Sequence, residues 1–167
     1  MGKSGISGFD PQRLRAVRER VNLTQRDVAE RLLRNANNGW PGTDIARAAQ
    51  DLDNTRLKLT DYESGQVVPR ADMVYQLAQA IEVEVAELLD PATAYDLEYL
   101  RVRRGMRQAD VVDAGLGVGR AYYSRVERGM APLGDEQQRR LAEILDVDPA
   151  DLAVALSGGH TIGSMSR

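Results

Sequence analysis

The chain has 167 residues, of which 43% are hydrophobic and 28% are charged, and its formal net charge is −3. It has no cysteine and one histidine, His160, which excludes disulfides, thiolate nucleophiles, Cys-based zinc sites and any His-only metal site or catalytic triad. No apolar run approaches about 18 residues and the N-terminus lacks a signal-peptide core, which favours a cytoplasmic protein without a membrane segment. We therefore expect neither an enzyme nor a bound cofactor.

The first half of the chain predicts five short helices and no strand. Asp10 before Pro11 is typical of a helix N-terminus, and Thr24 predicts the start of a second helix. Thr55 predicts the start of the third. The expected helices cover about residues 11–21, 24–34, 55–65, 71–81 and 84–89.

An additional segment, about residues 35–53, separates the second and third of these helices. Its first part is rich in Asn and Gly and carries the only tryptophan, Trp40. Thr43 then predicts a short helix over 44–52. Long connections in compact domains are often functional, so the segment could touch the DNA backbone with Arg34 and Arg47, or dock on the other repeat or on another chain. Alternatively, it could be a surface elaboration in which Trp40 covers its own core.

The second half predicts the same five helices, over about 94–104, 108–114, 120–128, 135–145 and 148–156. The turn before its third helix contains Gly115, Gly117 and Gly119 and is one residue longer than usual. Val112 replaces the smaller Ala29 of the first half. The longer turn could relieve this crowding or leave the third helix loosely set.

Both halves carry one ordered signature. The front of the signature aligns at an offset of 83 residues and the back at 64, so the first half holds 19 extra residues. Amphipathic helices share a period of about 3.6 residues by chance, whereas polar residues in fixed order do not recur so easily. The matched sets are Leu14, Arg18, Gln25 and Glu63-Ser64-Gly65, then Leu97, Arg101, Gln108 and Glu127-Arg128-Gly129.

The signature predicts a tandem repeat with short ends. We expect a first repeat over residues 10–91 and a second over 92–157. The ends, 1–9 and 158–167, are rich in small and polar residues and are expected to be disordered. The linker around Pro91 is short, so we expect the repeats to pack in a fixed orientation.

Each repeat resembles the lambda-repressor and Cro type of helix-turn-helix domain, the XRE family of bacterial and phage regulators. This resemblance implies an all-α fold of two five-helix domains in tandem, the first with an insertion between its second and third helices. In that family the second helix begins with a Gln that contacts a DNA phosphate and braces the third helix, which lies in the major groove. These roles fall on Gln25 and Gln108.

The resemblance also implies which residues brace the domain and which meet DNA. An Arg of the first helix pairs with the Glu after the recognition helix, which gives Arg18 with Glu63 and Arg101 with Glu127. Arginine can bind guanine O6 and N7 with two hydrogen bonds, although an exposed helix position can also be merely solvated. The residues expected at the DNA are Gln25, Thr55, Arg56, Lys58, Thr60 and Asp61, then Arg107, Gln108, Arg120, Tyr122, Ser124 and Arg125.

Charge is spread unevenly along each repeat. Arginines gather in the first two helices and carboxylates in the last two. A protein that coats nucleic acid without sequence preference would be strongly basic, whereas this chain has a net charge of −3. The pattern predicts a basic docking side on each repeat, with weak non-specific binding and a large specificity ratio.

The sequence favours a sequence-specific regulator that binds double-stranded DNA, acting as a repressor by occlusion. One chain could bind an asymmetric site, or a homodimer could bind four half-sites. The alternative is an antitoxin-like or adaptor module in which one repeat has lost its DNA contact. That repeat would bind a protein partner through Tyr122 or through the insertion at 35–53.

Overall fold

The computed structural model describes residues 5–158 and 160–165. The prediction of an all-α fold is confirmed. In this part of the chain a 3₁₀ turn follows α4, at Val85–Leu88, and a π-helical turn follows α6, at Val112–Leu116. The α-helices are α1 (Pro11–Arg20), α2 (Gln25–Ala36), α3 (Ile45–Glu63), α4 (Ala71–Ile81), α5 (Leu97–Arg103), α6 (Gln108–Val111), α7 (Arg120–Glu127), α8 (Asp135–Leu145), α9 (Pro149–Ser157) and α10 (Ile162–Met165).

The side chains predicted to cap the first two helices, those of Asp10 and Thr24, do so in the structure. Asp10 accepts a hydrogen bond from the backbone N of Gln12 at 2.9 Å, ahead of α1. Thr24 and Asp27 accept from each other's backbone N at 3.1 and 2.7 Å, ahead of α2. These contacts satisfy N–H groups that have no partner inside the first turn of a helix.

The third helix differs most from its prediction. It begins at Ile45 and continues without a break, so the expected helix over 44–52 and the expected recognition helix form one helix of 19 residues. The predicted helix start at Thr55 is wrong. The Thr55 hydroxyl instead donates to the carbonyl of Asp51 at 2.8 Å, one turn earlier in the same helix.

Burial explains why α3 is continuous. Ala48, Leu52 and Leu59 lie on one side of the helix and are each at most 6% exposed. Neither Asp53 nor Asn54 interrupts that face, and both tolerate a helical backbone. The insertion therefore consists of the end of α2, a loop over 37–44, and about three extra turns at the start of α3.

One hydrophobic core runs through both repeats. Leu14 and Leu77 of the first repeat belong to the same buried cluster as Leu100 of the second. Helix α4 packs directly on α5. The contact is close at Gly105, where an added Cβ would lie 2.7 Å from the ring of Tyr75, and where the φ of +67° also favours glycine. The repeats therefore have one fixed orientation, as the short linker predicts.

Both ends of the described chain pack against the linker, which differs from the predicted disorder. The backbone N of Asp90 donates to the carbonyl of Gly8 at 2.8 Å, and that of Ile162 donates to Thr93 at 3.0 Å. Ile6 and Ile162 are 8% and 5% exposed. Burial of these two apolar side chains outweighs the Gly- and Ser-rich composition. Residues 1–4, 159, 166 and 167 of the predicted disordered ends lie outside the described residues.

Candidate nucleic-acid interface

A polar network joins α1, α2 and α3 in the first repeat. Arg18 donates from Nε and Nη2 to the two carboxylate oxygens of Glu63 at 2.6 and 3.0 Å, and from Nη1 to the carbonyl of Leu23 at 2.8 Å. Gln25 donates from Nε2 to Glu63 Oε2 at 2.9 Å. The Glu63 side chain is only 6% exposed, so the network lies within the domain.

The second repeat builds the same network from its own residues. Arg101 binds both carboxylate oxygens of Glu127 at 2.5 and 3.3 Å and reaches the carbonyl of Met106 at 2.8 Å. Gln108 donates to Glu127 Oε2 at 2.6 Å. Both ion pairs that the resemblance implies are therefore present, and in each the glutamine is a third member.

The surroundings keep the charges of these networks fixed. The hydrogen bond to Glu63 raises the pKa of Arg18. Burial lowers the pKa of Arg101, but the hydrogen bond and the charge of Glu127 outweigh it and raise that pKa overall. Burial also raises the pKa of the Tyr123 phenol, with a smaller contribution from Glu127. Both guanidinium groups therefore stay charged, and the phenol stays neutral, near neutral pH.

The network also orients the glutamine that begins α2. The Thr60 hydroxyl lies 3.1 Å from Gln25 Oε1 and 3.1 Å from the carbonyl oxygen of Arg56, so its one hydrogen is shared between these acceptors and the amide lies against the flank of α3. The Gln25 Nε2 carries two hydrogens, and Glu63 accepts only one of them. The second hydrogen can be donated to an outside acceptor such as a phosphate oxygen.

The predicted DNA-facing residues of α3 lie on different flanks. Arg56 precedes Thr60 by one turn and shares the flank that holds Gln25. Thr55 and Lys58 instead line an apolar groove between α2 and α4. The structure therefore brings Arg56, Thr60 and Gln25 together and places Thr55 and Lys58 away from them.

The outward face between these flanks includes a residue that sequence reasoning missed. Leu57 is 53% exposed, and Asp61, one turn later, is half-buried. We call α3 and α7, the third helices of the two repeats, their reading helices. An exposed apolar side chain on such a helix can contact the methyl group of thymine. The helical period alone could have found Leu57, since it lies between the positions of Arg56 and Asp61 on the helix surface.

The four residues of α7 that are predicted to contact DNA differ in how far the domain holds their side chains. Arg120 and Arg125 are exposed. The Tyr122 hydroxyl donates to the carbonyl of Pro132 at 2.7 Å, which holds the ring against the following loop. Ser124 is half-buried. Arg120 and Arg125 are therefore the side chains of α7 best placed to reach a ligand.

Two family models, each described as a helix-turn-helix domain, match the chain at residues 12–92 and 96–155. The chain is a tandem helix-turn-helix protein. Such domains place it in the class of DNA-binding regulators. Neither a curated protein nor a solved structure matches it. Within the described residues, no helix is both long and apolar enough to cross a membrane.

The turn of the second helix-turn-helix domain is anchored. The π-helical turn contains Gly115 at φ +98°, and Gly117 follows it at φ +80°. These values are readily adopted only by glycine. Between the two glycines, Leu116 is fully buried. The extra residue and the glycines therefore shape the turn, while Leu116 fixes the start of α7 to the core.

Several arginines of the predicted basic side of each helix-turn-helix domain lie beside acids in the fold, and the basic docking side itself stays a prediction. Arg20 of α1 contacts Glu87 of the 3₁₀ turn at 2.5 Å, and Arg104 contacts Asp146 after α8 at 3.2 Å. Arg107 contacts Asp110 at 2.8 Å. Sequence distance hid the first two of these pairs, since helices far apart in the chain pack side by side.

Proposed function

We propose that the chain is a sequence-specific regulator that binds double-stranded DNA with one reading helix from each repeat and represses transcription by occupying its site. The observation that carries this proposal is the Arg-Glu-Gln network, built twice. In each repeat it leaves one amide hydrogen of Gln25 or Gln108 free beside a reading helix that carries an arginine, Arg56 or Arg120. No catalytic role is proposed.

The two reading helices differ, which bears on the shape of the site. Arg56-Leu57-Lys58 in α3 corresponds to Arg120-Ala121-Tyr122 in α7. Half-sites in this class of protein are about 34 Å apart, one turn of DNA. A single chain would bind an asymmetric site. Two chains would bind four half-sites on a longer palindrome.

Selection of bound duplexes from a random library at two salt concentrations tests the proposal. We expect one enriched sequence that persists at the higher concentration, since non-specific binding is almost wholly electrostatic. Arg56→Ala and Arg120→Ala should each lose about 1–3 kcal/mol of discrimination at a different half-site. Arg139→Ala, on the exposed side of α8, is the control and should change neither half-site.

A second candidate function is docking of a protein partner by one repeat. It is favoured by Ile45, which begins α3 inside the insertion and is 70% exposed. If DNA selection and footprinting respond to only one of the two arginine substitutions, the repeat that does not respond is the docking unit. Protection of two half-sites, each lost with its own arginine, would rule this candidate out.

A further inference from the structure

A cleft of about 490 Å³ lies between the two repeats, beside the reading helix of the second. Its first-repeat wall includes Ile6 and Arg70, and its second-repeat wall includes Gln108, Arg120 and Arg128. Gln108 and Arg120 are residues through which the second repeat is expected to meet DNA. The first repeat therefore forms part of the surroundings of the second repeat's DNA-binding surface.

The cleft carries more positive than negative charge. Five guanidinium groups and three carboxylates line it. Each of the carboxylates already has a donor from the protein: Asp96 accepts from the backbone N of Tyr99, Glu98 from the backbone N of Ser7, and Glu127 from Arg101. A cleft lined mainly by one sign of charge concentrates its field and attracts the opposite sign.

Two of the guanidinium groups lack an acidic partner. Within the described residues, no carboxylate oxygen lies within 4.0 Å of Arg120 or Arg128. Arg128 donates from Nε to the carbonyl of Ser124 at 3.1 Å, which leaves its Nη groups free. Arginine presents a planar set of donors suited to phosphate oxygens. Both side chains are therefore available to donate to an anion in the cleft.

Arg70 adds a cation from the other repeat. It stands at the start of α4, its side chain is 61% exposed, and among the described residues its carboxylate contact is with Asp72 at 3.5 Å. Arg70 lines the same cleft as Arg107, Arg120 and Arg128 of the second repeat. Arg70 therefore lies where it can contribute to a ligand held by the second repeat.

We propose that this cleft binds a phosphate of the DNA backbone when the second repeat reads its half-site, and that Arg70 of the first repeat donates to that phosphate. The inference rests on the proposed DNA binding and adds a contact that crosses between the repeats. The two repeats are then one composite binding surface, and the second repeat alone has an incomplete set of phosphate contacts.

Salt-dependent affinity of the full chain for its selected duplex tests this inference, with Arg70→Gln compared against Arg139→Gln. Loss of one phosphate contact makes the negative slope of log K against log salt shallower by about 0.9 and weakens binding roughly fivefold at 0.15 M salt. The loss should be equal on the selected and on a scrambled duplex, because phosphate contacts carry no sequence information. The exposed Arg139 lies outside the cleft, so its variant should keep the wild-type slope.

Arg128→Gln, from the opposite wall, serves as a second variant and should reduce the slope in the same way. A wild-type chain that selects no duplex overturns both the proposed function and this inference. Selective wild-type binding with an unchanged slope in Arg70→Gln overturns the cleft contact alone.

A free phosphorylated compound would use the same arginines, and calorimetric titration of the DNA-free chain with pyrophosphate separates that source from DNA. We expect no saturable binding below about 1 mM. Micromolar binding that Arg70→Gln abolishes, with the DNA slope unchanged, would assign the cleft to a small anion and overturn the assignment to DNA.

Discussion

Arg18 and Arg101 are buried charged residues, 8% and 6% exposed, and each has its own glutamate at the end of a reading helix. Removing an ion from water costs several kcal/mol unless its partners fit well. Here two N–H groups meet two carboxylate oxygens, and a glutamine adds a third donor. The contact joins three helices, so it fixes where the reading helix ends relative to the start of the helix before it.

Glu127→Ala tests this role in the second repeat. We expect the free energy of unfolding to fall by about 3–5 kcal/mol, because Arg101 would keep its buried charge and lose its partner. Urea denaturation followed by circular dichroism measures the loss. Glu136→Ala is the control, since Glu136 contacts Arg139 and Arg140 on the surface of α8 and such pairs contribute at most about 1 kcal/mol. Equal losses in the two variants would contradict a special role for the buried pair.

Residue roles could be inferred from the sequence where the repeat showed them twice. Arg18, Gln25 and Glu63 recur in the same order in the second repeat, and each contacts another member of the set. Nothing recurs around Tyr122, whose hydroxyl binds the Pro132 carbonyl, or around Arg70, whose cleft is formed only when two repeats pack. Contacts made once, between distant segments, leave no periodic trace in a single sequence.

Helix α3 shows how buried packing overrides a local start signal. Thr55 has the chemistry of a helix cap, but the apolar face made by Ala48 and Leu52 continues the helix toward its N-terminus. The extra residues before Thr55 add about 15 Å at a rise of 1.5 Å per residue. The reading helix of the first repeat therefore has a long N-terminal extension, whereas α7 has only eight residues.

Leu52→Ala measures how tightly the N-terminal extension of α3 packs on the domain. Leu52 is 6% exposed, so its truncation should cost about 2–3 kcal/mol of stability in thermal unfolding. Leu57→Ala on the same helix is the matched control, because Leu57 is 53% exposed and its loss should stay under about 0.5 kcal/mol. A negligible effect of Leu52→Ala would mean that the first turns of α3 are detached from the domain.

The elements that the sequence predicted well have a periodic apolar face and are each followed by a residue with a left-handed backbone, Glu82 or Asp146. Helix α4 begins and ends at its predicted residues, Ala71 and Ile81, and α8 at Asp135 and Leu145. The insertion was predicted wrongly because no helix-breaking residue separates its helix from the recognition helix. The π-helical turn could not be foreseen either, since three glycines allow several backbone paths and the burial of Leu116 selects one.

In the whole molecule, the repeats are one folding unit. The core is continuous from Leu14 to Leu141, and α4 packs on α5 across the repeat boundary. Two domains joined only by a flexible linker would each keep a separate core. A shared core couples the unfolding of one repeat to that of the other.

Differential scanning calorimetry checks this coupling. We expect one transition for the full chain, and Ile162→Ala should lower it by about 4–8 °C, since loss of a buried isoleucine costs about 2 kcal/mol. Met130→Ala, at a residue 53% exposed, is the control and should leave the midpoint nearly unchanged. Two separate transitions, or an Ile162 effect limited to one of them, would contradict a shared core.

The repeat organisation and the fixed packing of the repeats were evident in the sequence, whereas the helices that make the contact between them were not. An internal alignment finds what is duplicated, but the α4 and α5 contact belongs to the pair and has no second copy to reveal it. Composition predicted that the two ends of the chain are disordered. The burial of Ile6 and Ile162 instead packs the described part of each end against the linker.

The position of the chain's N-terminal segment has a practical consequence for handling the protein. Gly5 and Ile6 form part of the wall of the inter-repeat cleft, and Ser7 and Gly8 continue along the linker. A peptide fused to the N-terminus is therefore tethered within a few residues of the arginines of that cleft. An acidic affinity tag attached there would act as a tethered competitor at high local concentration, so binding constants are best measured on protein freed of such a tag.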